Sequence, residues 1–250
     1  MRVARWGVEG QAYQGLVQGD RVEFRGESVA VSQLNLLAPV VPRQIIGIAL
    51  NFKDHAEELG LAEPPAPALF VKPLGSVIGP GHDIWYPEGA SHCHYETEVA
   101  AVIGRTCSKV TAKAALDYVK GYTIANDFTC RDYITNMFRP PLKAKGFDTF
   151  CPLGPYLVTR DEVEDPGALK IRTWVNQELR QEGSTADLML SIPALIAYLS
   201  QFTTLEENDV ILTGTPKGIS PVKIGDVITC EVEGLGQLTN TVRTMPRIPL

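Results

Sequence analysis

The sequence contains no long apolar run and no block of basic residues. Among its 250 residues the 23 Lys and Arg side chains are scattered, and the formal net charge is −6. Such a chain has no excess of positive charge for a phosphate backbone, which excludes nucleic acid as an expected partner. No apolar stretch approaches the roughly 20 residues that span a bilayer, and the amino terminus lacks the apolar segment of a secretory signal. We therefore expect a cytoplasmic protein with no membrane partner.

Cysteine is also scarce and irregularly placed. The five cysteines are an odd number and include no pair separated by two residues: Cys93, Cys107, Cys130, Cys151 and Cys230. This pattern excludes a disulfide framework and is typical of reduced thiols that pack as small apolar side chains. We predict that the protein contains no disulfide.

Short strand-like segments dominate the chain. Residues 1–40 alternate apolar runs with Gly and charged turn residues, which predicts a small N-terminal β segment. After the Pro-containing joint LLAPVVPRQ, residues 41–250 carry short runs rich in β-branched residues, such as IIGIAL and DVITCEVEG, and form the predicted main domain. Helical periodicity is limited to TAKAALDYV with Thr111 as a cap, a stretch after Cys130, and SIPALIAYLSQF with Ser191 as a cap. The sequence therefore predicts a mixed β fold with few short helices.

Three acidic residues stand at the ends of two predicted strands. Glu96 and Glu98 open the strand ETEVAAVIG, and residues i and i+2 of a strand point to the same face. Asp127 ends the apolar run GYTIAN, where a carboxylate needs a partner or a cation. An oxygen-only set of three ligands suits a hard cation such as Mg²⁺ or Mn²⁺. By spacing alone, the interpretation of Glu96 and Glu98 as solvated edge carboxylates stays open.

A softer metal site is the alternative at the same place. His92, Cys93 and His94 directly precede the acidic pair and include ligand types that bind Zn²⁺. Adjacent residues of a strand face opposite sides, however, and no second Cys/His cluster is present to complete a tetrahedron. The carboxylate site is therefore the favoured prediction.

Further polar residues have the character of an active site. In NFKDHAEELG, His55 and Glu58 are three residues apart, which on one helical turn places a carboxylate against an imidazole that can act as a base. Arg131 and Lys145 can neutralise a substrate carboxylate. The loop TGTPKG, residues 213–218, offers backbone N–H and hydroxyl donors to such a carboxylate. Each of these residues also has an ordinary structural interpretation.

The order of the motifs resembles the signature of the fumarylacetoacetate hydrolase family. The motifs run from Gly47 to the carboxyl end: GIALNFKDHAEE, LFVKP, HYETEVAAVIG, GYTIANDFTCRDY, AKGFDTFCPLGP, ILTGTPKG and GDVITCEVEGLGQLTN. The resemblance implies a catalytic domain at residues 41–250, built around a long rolled β-sheet, and a homodimer. It also implies six residues of a catalytic centre: Glu96, Glu98 and Asp127 as ligands of Mg²⁺ or Mn²⁺, His55 and Glu58 as a catalytic dyad, and Lys145 as the active-site lysine.

The stretch RDYITNMFRPPLKAK narrows the resemblance within the family. It is similar to members that isomerise 2-hydroxyhepta-2,4-diene-1,7-dioate or decarboxylate 5-oxopent-3-ene-1,2,5-tricarboxylate in homoprotocatechuate and 4-hydroxyphenylacetate catabolism. Many family hydrolases carry Gln three residues after the matching Arg, whereas this chain has Ile134. The implied substrate is a small dicarboxylic or tricarboxylic acid. The resemblance implies that Arg131 and Lys145 bind its carboxylates, and that Gly214 and Thr215 of the TGTPKG loop donate further hydrogen bonds to it.

Three alternatives stay open at this point. Hydrolysis of a C–C bond in an acylpyruvate or in fumarylacetoacetate would use His55 and Glu58 to activate water. Decarboxylation of oxaloacetate would need only chelation and loss of a β-carboxylate. A non-catalytic binding subunit with the same fold is the remaining alternative, and it is disfavoured because every charged position that the chemistry requires is present.

Overall fold

The structure is a computed structural model that describes residues 1–61, 66–134 and 140–246. Within these ranges twenty strands are present. The first ten, β1 to β10, are Arg2–Val8, Gln11–Gln18, Arg21–Phe24, Glu27–Ala30, Asn35–Leu36, Ile45–Ala49, Ala68–Val71, Val77–Ile78, Asp83–Tyr86 and Cys93–His94. The other ten, β11 to β20, are Thr97–Ile103, Val119–Asn126, Thr129–Cys130, Cys151–Thr159, Lys170–Val175, Glu178–Ser184, Val210–Leu212, Pro221–Val222, Val227–Val232 and Gly236–Thr244.

The helices are few and short, as the sequence predicts. The α-helices α1 to α4 are Lys53–Glu58, Ala112–Ala115, Leu142–Lys145 and Ile192–Ser200. Short 3₁₀ segments are Val31–Gln33, Leu74–Ser76, Leu116–Tyr118, Arg131–Tyr133, Arg160–Glu162 and Thr185–Asp187. No helix of the described residues is long and apolar enough to cross a membrane. The prediction of a mixed β fold with few short helices is confirmed.

Two details of the helix prediction are wrong. Thr111 and Ser191 precede α2 and α4 as expected, but neither side chain accepts a capping hydrogen bond. Both helices begin instead on backbone carbonyls, with Ala114 N–H donating to Thr111 O at 3.0 Å and Leu195 N–H donating to Ser191 O at 2.8 Å. The first helical turn is therefore closed by the main chain. After Cys130 a 3₁₀ turn forms, and residues 135–139 lie outside the described part of the chain.

The strands form three sheets. The largest has the order β4-β3-β2-β1-β14-β12-β11-β17-β6-β7, with β5 on β1 and β8 on β14. A five-stranded sheet has the order β16-β15-β19-β20-β9, and a three-stranded sheet has the order β13-β10-β18. All five cysteines are free and buried.

The N-terminal strands extend the large sheet. Strand β1 pairs with β14 through Arg2 and Val158, so residues 1–40 share hydrogen bonds with the rest of the chain. They also hold a small core of their own around Trp6 and Val22. The division at residue 40 stays a prediction about domains.

Strand β11 lies at the centre of the large sheet and is buried on both faces. Its odd-numbered residues, such as Val99 and Ala101, join one apolar core, and Ala100 and Val102 join another. A strand that packs on both sides is a continuous apolar run, as in VAAVI. Its amino end is thereby fixed firmly within the fold, and the acidic residues are at that end.

Gly47 on β6 is opposite Phe70 on β7, and a Cβ at Gly47 would lie 2.1 Å from Phe70 Cζ. Phe70 is buried and cannot give way without repacking. We predict that Gly47→Ala lowers the free energy of unfolding by about 1–3 kcal/mol, measured by urea denaturation. The matched control Gly75→Ala, whose Cβ would lie 3.5 Å from the nearest atom, should change stability by less than about 0.5 kcal/mol. Equal effects of the two substitutions would contradict the prediction.

Candidate active site

The register between β11 and β12 brings three carboxylates together. Thr97 is opposite Asn126, so Glu96 is opposite Asp127, and Asp127 N–H donates to Glu96 O at 2.8 Å. Glu98 lies two residues further on, on the same face as Glu96. One oxygen of each carboxylate is within 4.8 Å of the others, and all three residues are buried. The structure therefore places the three predicted ligands at one point, which excludes the interpretation of solvated edge residues.

Lys145, at the end of α3, reaches into this cluster. Its Nζ donates to Glu96 Oε2 at 2.8 Å, to Thr129 Oγ1 at 2.9 Å and to Asp127 Oδ2. Burial lowers the pKa of Lys145, but the charges of Asp127 and Glu96 outweigh burial, and the net shift is upward. Lys145 is therefore a charged residue that supplies all three of its protons to the site.

Two more cations contact the carboxylates. The sequence predicts Arg131 on a substrate carboxylate, and in the structure its Nη2 donates to Glu96 Oε1. Lys72 Nζ donates to Asp127 Oδ1 at 2.5 Å and to Phe128 O at 3.3 Å, and its side chain is fully buried. Lys72 is not among the site residues predicted from the sequence. One feature of the sequence does indicate this contact: in LFVKP a lysine stands between a buried strand and a proline, where a charged side chain needs a partner.

The carboxylates differ in how far neighbouring groups offset their negative charge. Burial raises the pKa of Glu96, but Lys145 and Arg131 outweigh this and hold it below its usual range. Burial raises the pKa of Glu98 well above its usual range, and the neighbouring charges of Asp127 and Glu96 add to the shift. Within the described residues, the only hydrogen bond of the Glu98 carboxylate is from Gly214 N–H, at 2.7 Å. A buried carboxylate without a cationic partner, beside two other carboxylates, fits a divalent cation.

The loop after β17 forms the opposite wall of the site. Ala100 pairs with Leu212, which places Gly214 beside Glu98. Gly214 has φ +98°, and a Cβ there would lie 2.9 Å from Asn51 Cβ, so both backbone shape and close approach require glycine. Its N–H is already used by Glu98, and its predicted contact with substrate stays a prediction.

His55 and Glu58 form the predicted contact on α1. His55 Nδ1 lies 3.0 Å from Glu58 Oε2, and Glu58 Oε1 accepts a hydrogen bond from Gly218 N–H at 2.9 Å. Glu58 is thus fixed by the TGTPKG loop and in turn fixes the imidazole ring. The second ring nitrogen of His55, Nε2, is left to exchange a proton.

A cavity of about 400 Å³ opens onto these groups. Its polar lining consists of the predicted site residues His55, Glu96, Glu98, Arg131, Lys145, Gly214 and Thr215. Its apolar lining includes Ile48, Leu59, Leu61, Leu69, Phe70 and Ile134. The cavity therefore offers the cations Arg131 and Lys145 to the charged group of a small acid and apolar side chains to its carbon chain.

The alternative zinc site does not form in the described residues, in which the one group of three or more possible ligands is the carboxylate cluster. Cys93 is fully buried and lies opposite Cys130 in the register of β10 and β13, and both are free thiols. His92 is exposed. Burial lowers the pKa of His94 to about 4, and the charge of Arg131 contributes to the same shift. Hard oxygen ligands therefore define the candidate metal site.

Residues 44–243 match the family described as fumarylacetoacetate (FAA) hydrolase C-terminal. The chain belongs to the fumarylacetoacetate hydrolase family. A 4-hydroxyphenylacetate degradation bifunctional isomerase/decarboxylase from Salmonella dublin is 45% identical over 198 residues, which are 79% of this chain and 46% of that protein. The chain thus spans about half the length of the curated isomerase/decarboxylases that it matches.

Solved structures of family members superpose on nearly the whole chain. 5-Carboxymethyl-2-hydroxymuconate delta-isomerase from Mycobacterium smegmatis has a TM-score of 0.88 and 38% identity, covering 99% of this chain and 100% of its own. Maleylpyruvate hydrolase from Sphingobium sp. SYK-6, solved with manganese(II) and pyruvate, has a TM-score of 0.83 and 30% identity, covering 98% of this chain and 100% of its own. The family fold expected from the sequence is confirmed.

Glu98→Gln removes a carboxyl group that has no ion-pair partner in the described residues, while keeping the side-chain shape. Because the loss of an outer partner of a metal ligand already costs about 10–100-fold in affinity, we predict that Mn²⁺ binding weakens by at least about 100-fold. Calorimetric titration of chelator-stripped protein with Mn²⁺ measures the change. Glu182→Gln, at an exposed carboxylate 3.0 Å from Arg172 Nε, is the matched control and should bind Mn²⁺ as the unaltered protein does. Equal affinities for the Glu98 variant and the control would rule out the carboxylate site.

Proposed function

We propose that this protein is a divalent-metal-dependent isomerase, decarboxylase or both. The proposed substrates are 2-hydroxyhepta-2,4-diene-1,7-dioate and 5-oxopent-3-ene-1,2,5-tricarboxylate, small acids of aromatic catabolism. The observation that carries the proposal is the buried cluster of Glu96, Glu98 and Asp127 at the end of a cavity that also contains His55. The names of the relatives that act in 4-hydroxyphenylacetate degradation support this choice of substrate.

The proposed cofactor is Mg²⁺ or Mn²⁺, held by Glu96, Glu98 and Asp127. All three ligands are oxygens, which suits either ion, and the maleylpyruvate hydrolase structure contains manganese. When bound, the cation would supply Lewis acidity to the oxygen at the 2-position of the substrate. The protein contributes the buried surroundings, in which such a charge acts more strongly than in water.

The isomerase reaction is a proton transfer. Conversion of 2-hydroxyhepta-2,4-diene-1,7-dioate to 2-oxohept-3-ene-1,7-dioate removes the proton of the 2-hydroxyl group and adds one at C5. His55 is positioned for one of these transfers, because Glu58 occupies its Nδ1 and leaves Nε2 for the substrate. Lys145 is charged and fully hydrogen-bonded, so it is the weaker candidate for a base.

The decarboxylation breaks a C–C bond. As CO₂ leaves, its bonding electron pair moves through the conjugated double bond to the oxo group of the substrate, where positive charge is needed. Lys145 and Arg131 line the cavity proposed for the substrate, and Arg131 Nε has no partner in the described residues. We assign Arg131 to hydrogen bonds with the substrate carboxylates and Lys145 to the same carboxylates through its charge, because its three protons are already donated within the site. We assign Thr215 to a hydrogen bond from the opposite wall, with Gly214 shaping that wall.

Hydrolysis of a C–C bond is the second candidate. The intact contact between His55 and Glu58 favours it, since the same pair can activate water, and the maleylpyruvate hydrolase has a closely similar fold. Ile134 on the cavity wall, in place of a polar side chain, favours the isomerase or decarboxylase.

We also propose that the protein works in the cytoplasm as a homodimer. The five buried free thiols suit a reducing compartment, and the dimer follows the pattern implied by the family resemblance.

Turnover of chelator-stripped protein on each proposed acid, with and without Mg²⁺ or Mn²⁺, tests the proposal. We expect metal-dependent loss of diene absorbance on the dienoate, or release of CO₂ from the tricarboxylate. Pyruvate release from an acylpyruvate without activity on either acid would favour the hydrolase instead. Loss of CO₂ from oxaloacetate alone would indicate an oxaloacetate decarboxylase. Absence of activity on all four acids would indicate a non-catalytic binding subunit.

His55→Asn tests the proton-transfer step. Because general acid–base catalysis contributes about 10²–10⁴-fold, we predict a fall of that size in kcat for the diene, with unchanged Mn²⁺ affinity. Stopped-flow absorbance gives the rate, and calorimetry gives the metal affinity. His82→Asn, at a half-buried histidine outside the cavity whose Nε2 lies 3.2 Å from Asn35 Oδ1, is the control. A rate within the range of the control would exclude His55 as the base.

A further inference from the structure

A buried glutamine on β16 connects the two halves of the candidate site. Gln181 is 1% exposed. Its Nε2 lies 2.9 Å from Thr215 Oγ1 and 2.7 Å from Pro216 O. Its Oε1 lies 2.8 Å from Thr173 Oγ1 and 3.3 Å from Thr97 N. One amide therefore joins the loop after β17 to the strand segment between the two glutamates.

The orientation of this amide is determined by its partners. Pro216 O is a carbonyl and can only accept, so the NH₂ group of Gln181 must face it. Thr97 N–H can only donate, so the amide oxygen must face Thr97. With the amide fixed at both ends, Nε2 donates to Thr215 Oγ1 and cannot accept from it.

This donation decides what the Thr215 hydroxyl can do. A hydroxyl has one proton to donate and two lone pairs. Since Thr215 Oγ1 accepts from Gln181, its proton is left over, and it has no acceptor within the described ranges. Thr215 lines the cavity that contains Glu96 and Glu98. The free proton is therefore available to an acceptor oxygen placed in that cavity.

We propose that Gln181 is a positioning residue that holds the Thr215 hydroxyl as a hydrogen-bond donor to a carboxylate or 2-oxo oxygen of the substrate. The inference rests on the proposed function, because it assumes a small 2-oxo acid in the cavity. Gln181 also holds the backbone at Thr97, between the metal-ligand candidates Glu96 and Glu98. A shift of the loop and a shift of the strand are thereby coupled through a single side chain.

The test is a double-mutant cycle on pyruvate binding to Mn²⁺-loaded protein, measured by calorimetry. Gln181→Met removes the amide at similar volume, and Thr215→Val removes the hydroxyl at similar shape. We expect each to weaken pyruvate binding by about 10-fold, the scale of one hydrogen bond to a charged group. The double variant should be no weaker than either single variant, because Gln181 acts through Thr215. Additive losses, or a loss in Gln181→Met alone, would show a structural role and overturn the inference.

Control variants separate positioning from folding. Asn240→Leu removes another buried amide, which donates to Gly79 O and His82 O at 3.0 and 2.8 Å. It should lower the unfolding temperature but leave pyruvate affinity unchanged. If Gln181→Met does not fold, Gln181→Glu replaces it in the cycle with the same expectation, since a carboxylate accepts the Thr215 proton. Absence of pyruvate binding by the unaltered protein, or unchanged binding by the Gln181 variants, would overturn this inference only, whereas the proposed function is overturned by absence of turnover on the two proposed acids.

Discussion

The antiparallel register between β11 and β12 is the constraint on which the rest of the structure depends. It places Glu96 opposite Asp127 and leaves Glu98 on the same face, so that three carboxylates share one buried place. Removing carboxylates from water costs several kcal/mol for each ion unless opposite charge and hydrogen bonds offset the cost. A slip of one residue would send the side chains of one strand to the opposite face and separate the cluster. Burial of β11 on both faces opposes such a slip.

The surrounding elements compensate this concentration of negative charge. Lys145 arrives on a short helix, Lys72 follows β7, and Arg131 follows β13, and each contacts Glu96 or Asp127. Glu98 receives a backbone N–H instead of an ion-pair partner, and burial, with the charges of Asp127 and Glu96, raises its pKa. Each of Glu96 and Asp127 thus has a cationic partner and Glu98 has none in the described residues, which is where a divalent cation would complete the site.

The proposed function depends on a cavity lined by both charged and apolar side chains. The charged lining combines Glu96 and Glu98 with His55, whose ring is held through Glu58 by the loop after β17. The apolar lining suits a carbon chain. The same loop carries Thr215, and Gln181 links it to the carboxylate strand, so the residues proposed for acid–base chemistry, substrate contact and metal ligation share one hydrogen-bonded frame.

The sequence by itself determined the strand-rich fold, the face shared by Glu96 and Glu98, and the pairing of His55 with Glu58, because these depend on local periods of two and about 3.6 residues. The order of motifs identified the family. Tertiary structure alone decided that Lys72 neutralises Asp127, that Gln181 joins strand to loop, and that the N-terminal strands extend the large sheet. These contacts join residues 34 to 156 positions apart in the chain. Strand register and loop packing bring such residues together, and no local pattern encodes them.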